Sequence, residues 1–362
     1  MTSVPLVDLT AQQDQVADEV ALGWAEVLKT TAFVGGPQVA AFEAEFAAYS
    51  GVPHCVGVAN GTDALELALR ALDVGPGDEC VLPANTFVAT AEAVARTGAV
   101  PVLTDCVEDT LLIDVDQVRI GPKTKAIIPV HLYGQPAPIE KLRDLGVPVL
   151  EDAAQSQGAR RLGVTACGLG DIAATSFYPG KNLGAYGDAG AVLTADEELA
   201  TRVRLLGAHG SPRKYEHPSL GFNSRLDTLQ AVVLSAKLRR LEGWNTARRA
   251  AAARYTSLLS EVPEVRTPVV LDGNEPVWHL YVIRVADRDR VLGKLHAAGI
   301  GAGIHYPTPV HLTGAFSSLG YGVGDFPVAE RTAGSLLSLP LFPEITPAQQ
   351  EYVVDTVTKA VR

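Results

Sequence analysis

Between residues 55 and 206 short apolar runs alternate with helical stretches, and this alternation limits the chain to few architectures. Residues 55–59, 80–83, 101–105, 126–132, 147–150 and 190–194 read as short buried strands bounded by turn residues. Helical spacing follows through residues 72 and 95, and again over 139–145 and 196–206. Strands joined through helices need crossover connections, which predicts a mostly parallel sheet covered by helices on its faces, an α/β fold. Ligands of such sheets sit at the strand ends.

On either side of this block the pattern changes. Val16, Val20, Leu22, Trp24, Val27 and Leu28 recur at helical spacing, as do Val39, Phe42, Phe46 and Ala47. Helices are predicted over 226–238 and 244–259, then a strand over 279–285, a helix over 288–298, an apolar segment over 335–342 and a last helix over 347–361. The expected organisation is an N-terminal arm with helices (1–50), a large domain (51–243), and a linking helix with a smaller α+β domain (244–362).

Charge and composition exclude several classes. The 41 acidic and 30 basic residues give a formal net charge of −11, with no basic cluster to serve as a nucleic-acid footprint. No apolar run reaches the roughly 18 residues of a membrane span, and the first residues lack a basic and apolar leader, so a cytoplasmic protein is expected. Cys55, Cys80, Cys106 and Cys167 form no C-x-x-C pair and read as buried apolar side chains. His305 and His311 lack partners at metal-ligand spacing, so no metal is expected.

The chemistry-bearing stretch is Ser176-Phe-Tyr-Pro-Gly-Lys-Asn-Leu-Gly, which sets Lys181 in a loop of small residues after an apolar run. About thirty residues earlier, Glu151 and Asp152 close a short strand. Pyridoxal phosphate requires that pair: an amine for a Schiff base and a carboxylate to hold the pyridine nitrogen protonated. Taken singly, Lys181 reads equally as a solvated loop residue and Asp152 as a helix cap. Asn60-Gly-Thr-Asp63 opens a helix with free N–H groups and short polar side chains, either a phosphate cradle or an ordinary cap. Phe87, just past a strand end, is placed to stack on a flat ring or to fill the core. The stretch 207–225 is polar, rich in Gly and Pro, and long enough to suggest function or disorder. Residues 57–62 do not give the G-x-G-x-x-G of a dinucleotide site.

The three motifs together, Ala59-Asn-Gly-Thr-Asp-Ala-Leu65, Glu151-Asp-Ala-Ala-Gln155 and the Lys181 loop, resemble the DegT/DnrJ/EryC1/StrS family of pyridoxal-phosphate sugar aminotransferases. The resemblance runs from Val4-Pro-Leu-Val-Asp-Leu9 to Leu339-Pro-Leu-Phe-Pro343. It implies a fold-type-I, aspartate-aminotransferase-like large domain with a seven-stranded sheet, and a homodimer with shared sites. It implies Lys181 and Asp152 as catalytic, with Gly61, Thr62, Asp63, Phe87, Gln155, Ser176 and the partner-facing Asn223 on the cofactor. Tyr178, Lys214, Tyr215, His217, His305 and Tyr306 would face the substrate, a nucleotide-linked (dTDP) keto sugar, with L-glutamate as donor. The motif wording is closer to members that act on 3-keto than on 4-keto sugars. A sugar dehydratase of this fold replaces the lysine with histidine, and a non-catalytic regulator is the other alternative. Gln157 departs from the histidine common in the family, which raises the question of an altered pocket floor.

Overall fold

The computed structural model describes residues 3–213 and 215–362. Helices Leu9–Asp14 (α1), Ala17–Thr30 (α2) and Pro37–Ser50 (α3) lead into strand His54–Val58 (β1) and helix Gly61–Ala71 (α4). Glu79–Pro83 (β2), Val88–Thr97 (α5), Val100–Thr104 (β3), Thr124–Ile127 (β4), Ile139–Arg143 (α6) and Leu150–Asp152 (β5) follow. A hairpin of Arg160–Arg161 (β6) and Val164–Thr165 (β7) precedes Ile172–Ser176 (β8), Gly190–Thr194 (β9) and Glu197–Gly207 (α7). The four-stranded sheet β1-β9-β8-β5 and the three-stranded sheet β3-β2-β4 join through parallel bridges Ile127–Val149 and Val130–Asp152. The result is one seven-stranded sheet in the order β3-β2-β4-β5-β8-β9-β1, in which only β9 runs against the others.

The apolar runs account for the strands. Every residue of β5 and β9 is buried, as expected where helices cover both faces. Phe42 and Phe46 of α3 meet Phe177 edge-on at 5.4 and 5.3 Å, fixing α3 over the β8 end of the sheet.

One expectation changes. The two helices predicted over 226–238 and 244–259 are a single 32-residue helix, Thr228–Leu259 (α8). Gly243, which costs about 1 kcal/mol in a helix interior, does not interrupt it, because both halves are clamped by packing. Ala231, Leu234, Leu238 and Leu241 pack with α3 and the Lys181 loop. Ala251, Ala252, Tyr255 and Leu259 pack on the C-terminal sheet of Val265–Arg266 (β10), Tyr281–Val285 (β12) and Leu336–Leu339 (β13), ordered β10-β12-β13. Asn274–Glu275 (β11) joins the β6–β7 hairpin. Helices Arg288–Ala297 (α9), Pro327–Ala333 (α10) and Pro347–Val361 (α11) complete the region. No helix among the described residues is long and apolar enough to cross a membrane.

Candidate active site

Five chain segments converge at one edge of the sheet. The C-terminal ends of β1, β2, β5 and β8 and the N-terminal end of the reversed β9 all open there, as the pairing of Ser176 and Val58 with Gly190 requires. A cavity of about 530 Å³ lies at this edge, within the range of small-molecule sites. Gly61, Thr62, Asp63, Phe87, Asp152, Gln155, Ser176, Tyr178, Lys181 and Tyr306, ten of the residues singled out from sequence, line it.

Lys181 is partly buried in the cavity wall, and burial pulls its amine down to about 8, with Asp152 opposing the shift. Asp152 is buried in the cavity wall, and burial pushes its carboxyl up. It is held rigidly: Oδ2 accepts from Thr90 Oγ1 at 2.7 Å and Oδ1 from Ala154 N at 3.2 Å. Thr90 is in turn 2.7 Å from Thr86 Oγ1. The neighbouring Glu151 faces the other way, accepting from the N–H groups of Cys167, Leu169 and Gly170 and from His131 Nε2 at 2.8 Å. His131 Nδ1 accepts from Ala137 N at 3.0 Å, so the imidazole is the neutral Nε2–H tautomer and props Glu151 from behind.

The opposite wall is the start of α4. Asn60 takes the N–H of Asp63 with its side chain and that of Ala64 with its carbonyl, leaving the N–H groups of Gly61 and Thr62 for a ligand. Gly61 must be glycine, since a Cβ there would lie 2.6 Å from Ser176 Cβ. The Asp63 carboxylate lies 3.6 Å from Arg96. Phe87, 49% exposed, presents its ring to the cavity and stands 5.2 Å from the Tyr306 ring. Gln155 Nε2 donates to the Tyr306 hydroxyl at 3.0 Å, and Gln155 Oε1 accepts from Tyr133 N at 2.5 Å.

Other expected site residues lie outside this cavity. His305 turns to Ser338 Oγ at 2.8 Å and packs edge-on against Tyr306. Asn223 accepts from Arg225 at 2.6 Å, His217 meets the carbonyl of His209 at 3.0 Å, and Tyr215 is 83% exposed. All three belong to the 207–225 excursion, which folds back on itself through the Ala208–Asn223 bridge. Lys214 lies outside the described residues. Gln157 is not on the cavity floor: it is buried behind it, donating to Thr175 Oγ1 at 2.8 Å and to the Ser176 carbonyl at 2.9 Å.

Sequence reasoning missed Arg96, Asp188 and Thr90. Arg96 and Asp188 line the cavity, and Arg96 is locked to Glu66 at 2.7 Å. Thr86 and Thr90, an i, i+4 pair that brackets Phe87, carried the only local signal for the Asp152 contact.

The sequence model of the DegT/DnrJ/EryC1/StrS aminotransferase family matches residues 14–358. The dTDP-3-amino-3,4,6-trideoxy-alpha-D-glucose transaminase of Streptomyces venezuelae is 45% identical over 98% of this chain and 95% of its own. A pleiotropic regulatory protein of Geobacillus stearothermophilus is 46% identical over 99% of both chains. The crystal structure of S. venezuelae DesV in complex with a ketimine intermediate superposes with a TM-score of 0.97 at 45% identity, covering 100% of each chain.

Proposed function

The chain belongs to the DegT/DnrJ/EryC1/StrS aminotransferase family, and on that premise we propose that it transfers the amino group of L-glutamate to the C3 carbonyl of a dTDP-linked keto-deoxysugar. It is a transaminase, and its cofactor is pyridoxal 5′-phosphate. The observation that carries the reading is the enclosure of Lys181 and Asp152 in one cavity, an amine pulled down by burial beside a buried carboxylate. An ionised carboxylate is costly to bury unpaired, so Asp152 is suited to a cationic ring nitrogen. The half-exposed Phe87 ring offers a stacking face, and the Gly61 and Thr62 N–H groups with Ser176 Oγ offer donors to a phosphate.

The cofactor supplies an aldehyde that carries the amino group and a ring that takes up electron density when a carbon–hydrogen bond breaks. Lys181 Nζ would hold that aldehyde, and its free amine would take the proton from the substrate carbon and return it. Asp152 would hold the ring nitrogen and, paired with its positive charge, would supply the carboxylate. Gln155 orients Tyr306 at the substrate side of the cavity. The net change is balanced: glutamate becomes 2-oxoglutarate, and the sugar C=O becomes CH–NH₂.

A 3-keto substrate follows from the similarity to the S. venezuelae transaminase, which is named for a 3-amino sugar. The experiment is to supply dTDP-linked 3-keto and 4-keto deoxysugars with glutamate. The expected result is a kcat/KM at least about tenfold higher for the 3-keto sugar. Preference for the 4-keto sugar would move the reacting carbon. Binding of cofactor without amino transfer to any sugar would favour a regulatory role, as the G. stearothermophilus relative is named.

The active form proposed is a cytoplasmic homodimer, with the three-part division at residues 50 and 243 retained. The cavity sets carboxylates Asp63, Asp152 and Asp188 against Arg96 and Lys181, a poor balance for ligands bearing phosphate. We assign further donors to a second chain, through its 207–225 excursion, and in support Leu22, Leu28, Phe33, Val34 and Leu220 stand exposed. Asn223→Asp and Lys181→Ala should each be inactive, yet a tagged hybrid of the two should recover about half of wild-type activity, because in a two-fold dimer one site collects both lesions. A reassorted hybrid as inactive as its parents would mean that each chain builds its site alone.

A further inference from the structure

Lys237 is a second buried lysine beside the catalytic loop, and the chemistry above does not use it. It sits on α8 at 3% exposure. Its Nζ donates to the carbonyl of Gly184 at 2.7 Å and lies 4.6 Å above the Tyr186 ring. Gly184 belongs to the loop that carries Lys181, and the loop is drawn shut there: Ala185 N donates to Phe177 O at 2.8 Å, and Lys181 N to Tyr178 O at 2.8 Å. The turn admits no side chain at 184, where a Cβ would meet Pro179 O at 2.3 Å.

Two further polar side chains of α8 reach the same strip of loop. Gln230 Oε1 accepts from Tyr186 N at 2.8 Å. Asn245 Oδ1 accepts from the side chain of Asn182, the residue after Lys181, at 2.9 Å, while Asn245 Nδ2 donates to Gln157 O at 2.9 Å. At about 100° per residue, positions 230, 237 and 245 fall within about 80° of one another around the helix. They therefore form one polar seam, facing alternate loop residues 186, 184 and 182.

We propose that this seam registers the Lys181 loop against α8, with Lys237 as the positioning residue that fixes where the catalytic amine points. The proposal rests on the assignment of Lys181 as the cofactor's lysine. A cation at this depth is costly unless its partners are specific, and burial pulls the Lys237 amine down to about 8. If Lys237 only filled space, methionine, similar in length and free of charge, would serve as well or better. The Gly184 carbonyl, buried, would instead lose its donor.

The test compares Lys237→Met and Lys237→Gln, each loaded with pyridoxal phosphate, by dissociation constant and by induced circular dichroism of the visible band, which reports a fixed cofactor orientation. Loss of one charge-assisted bond should weaken binding in the methionine variant by about tenfold or more and diminish the dichroic band. Glutamine keeps a donor for Gly184 and should bind within about threefold of wild type. A methionine variant with wild-type affinity and dichroism overturns the proposal, as does a glutamine variant that fails to fold or loses tenfold in affinity. Should the methionine variant not fold, the glutamine variant decides. Lys181→Ala run alongside separates the two readings: cofactor that borohydride still fixes covalently to that variant refutes the lysine assignment, and its absence there leaves the seam to be decided by the Lys237 variants.

Discussion

Lys181→Ala should lower amino transfer by about 10⁴-fold or more, because one side chain supplies both the nucleophile and the proton carrier. Lys181→Arg should be equally inactive: a guanidinium keeps its charge at every working pH and can neither attack an aldehyde nor accept a proton. The environment explains why lysine works here. An ordinary lysine is neutral in about 0.4% of molecules at pH 8, whereas burial brings the Lys181 amine down to about 8, so that half is neutral there. The sign follows directly. The reactive neutral form is present above about pH 8 and is lost as the pH falls, so uptake of pyridoxal phosphate by the unloaded protein should slow about tenfold per unit below that midpoint. Stopped-flow measurement of the visible band against pH checks this. Turnover by the alanine variant within tenfold of wild type would remove Lys181 from the reaction.

The fold was legible where burial writes a continuous pattern. Strands β2 and β9 are buried along nearly their whole length and the run 147–150 leads apolar into β5, so these stretches stand out without alternation. Asp152 and Lys181 were legible because a strand end and a small-residue loop are unusual places for each, and because the pair makes chemical sense only together. Arg96 was not. It ends α5, where a cation satisfies the last carbonyls of any helix, and it reaches the cavity only because α4 and α5 pack side by side and bring it to Asp63 and Glu66. The continuity of α8 was hidden for a related reason. Gly243 and its charged neighbours look like a break in sequence, and the clamps that hold the helix straight come from residues distant in the chain. The same holds for Lys237, a lysine at an ordinary helical position until the Gly184 carbonyl is found beneath it. The homodimer and the role of the 207–225 excursion rest on surfaces that a single chain leaves uncovered, which is why they stand as proposals to be tested by hybrids.

Asp152→Asn should slow the half-reaction with glutamate by at least two orders of magnitude while leaving the fold intact. Both carboxylate oxygens are already engaged on the protein side, by Thr90 Oγ1 and Ala154 N, so the group cannot turn and an isosteric amide will occupy the same place. What the amide lacks is charge. A charge-assisted bond to a ring nitrogen is worth about 1.5–3 kcal/mol, or about 10- to 150-fold in rate if it is fully expressed in the transition state. The larger part of the loss comes from the ring itself, since a nitrogen without its proton withdraws less electron density from the carbon that must give up hydrogen. Two measurements separate this from simple disruption of the site. The ¹⁵N shift of labelled cofactor should move from the protonated to the unprotonated range in Asp152→Asn. Thr90→Val, which removes one neutral donor worth about 1 kcal/mol but leaves the charge, should cost only about fivefold and keep the protonated signal. If Thr90→Val is as damaging as Asp152→Asn, orientation and not charge governs the site. An unchanged half-reaction in Asp152→Asn would mean that the ring nitrogen lies elsewhere in the cavity.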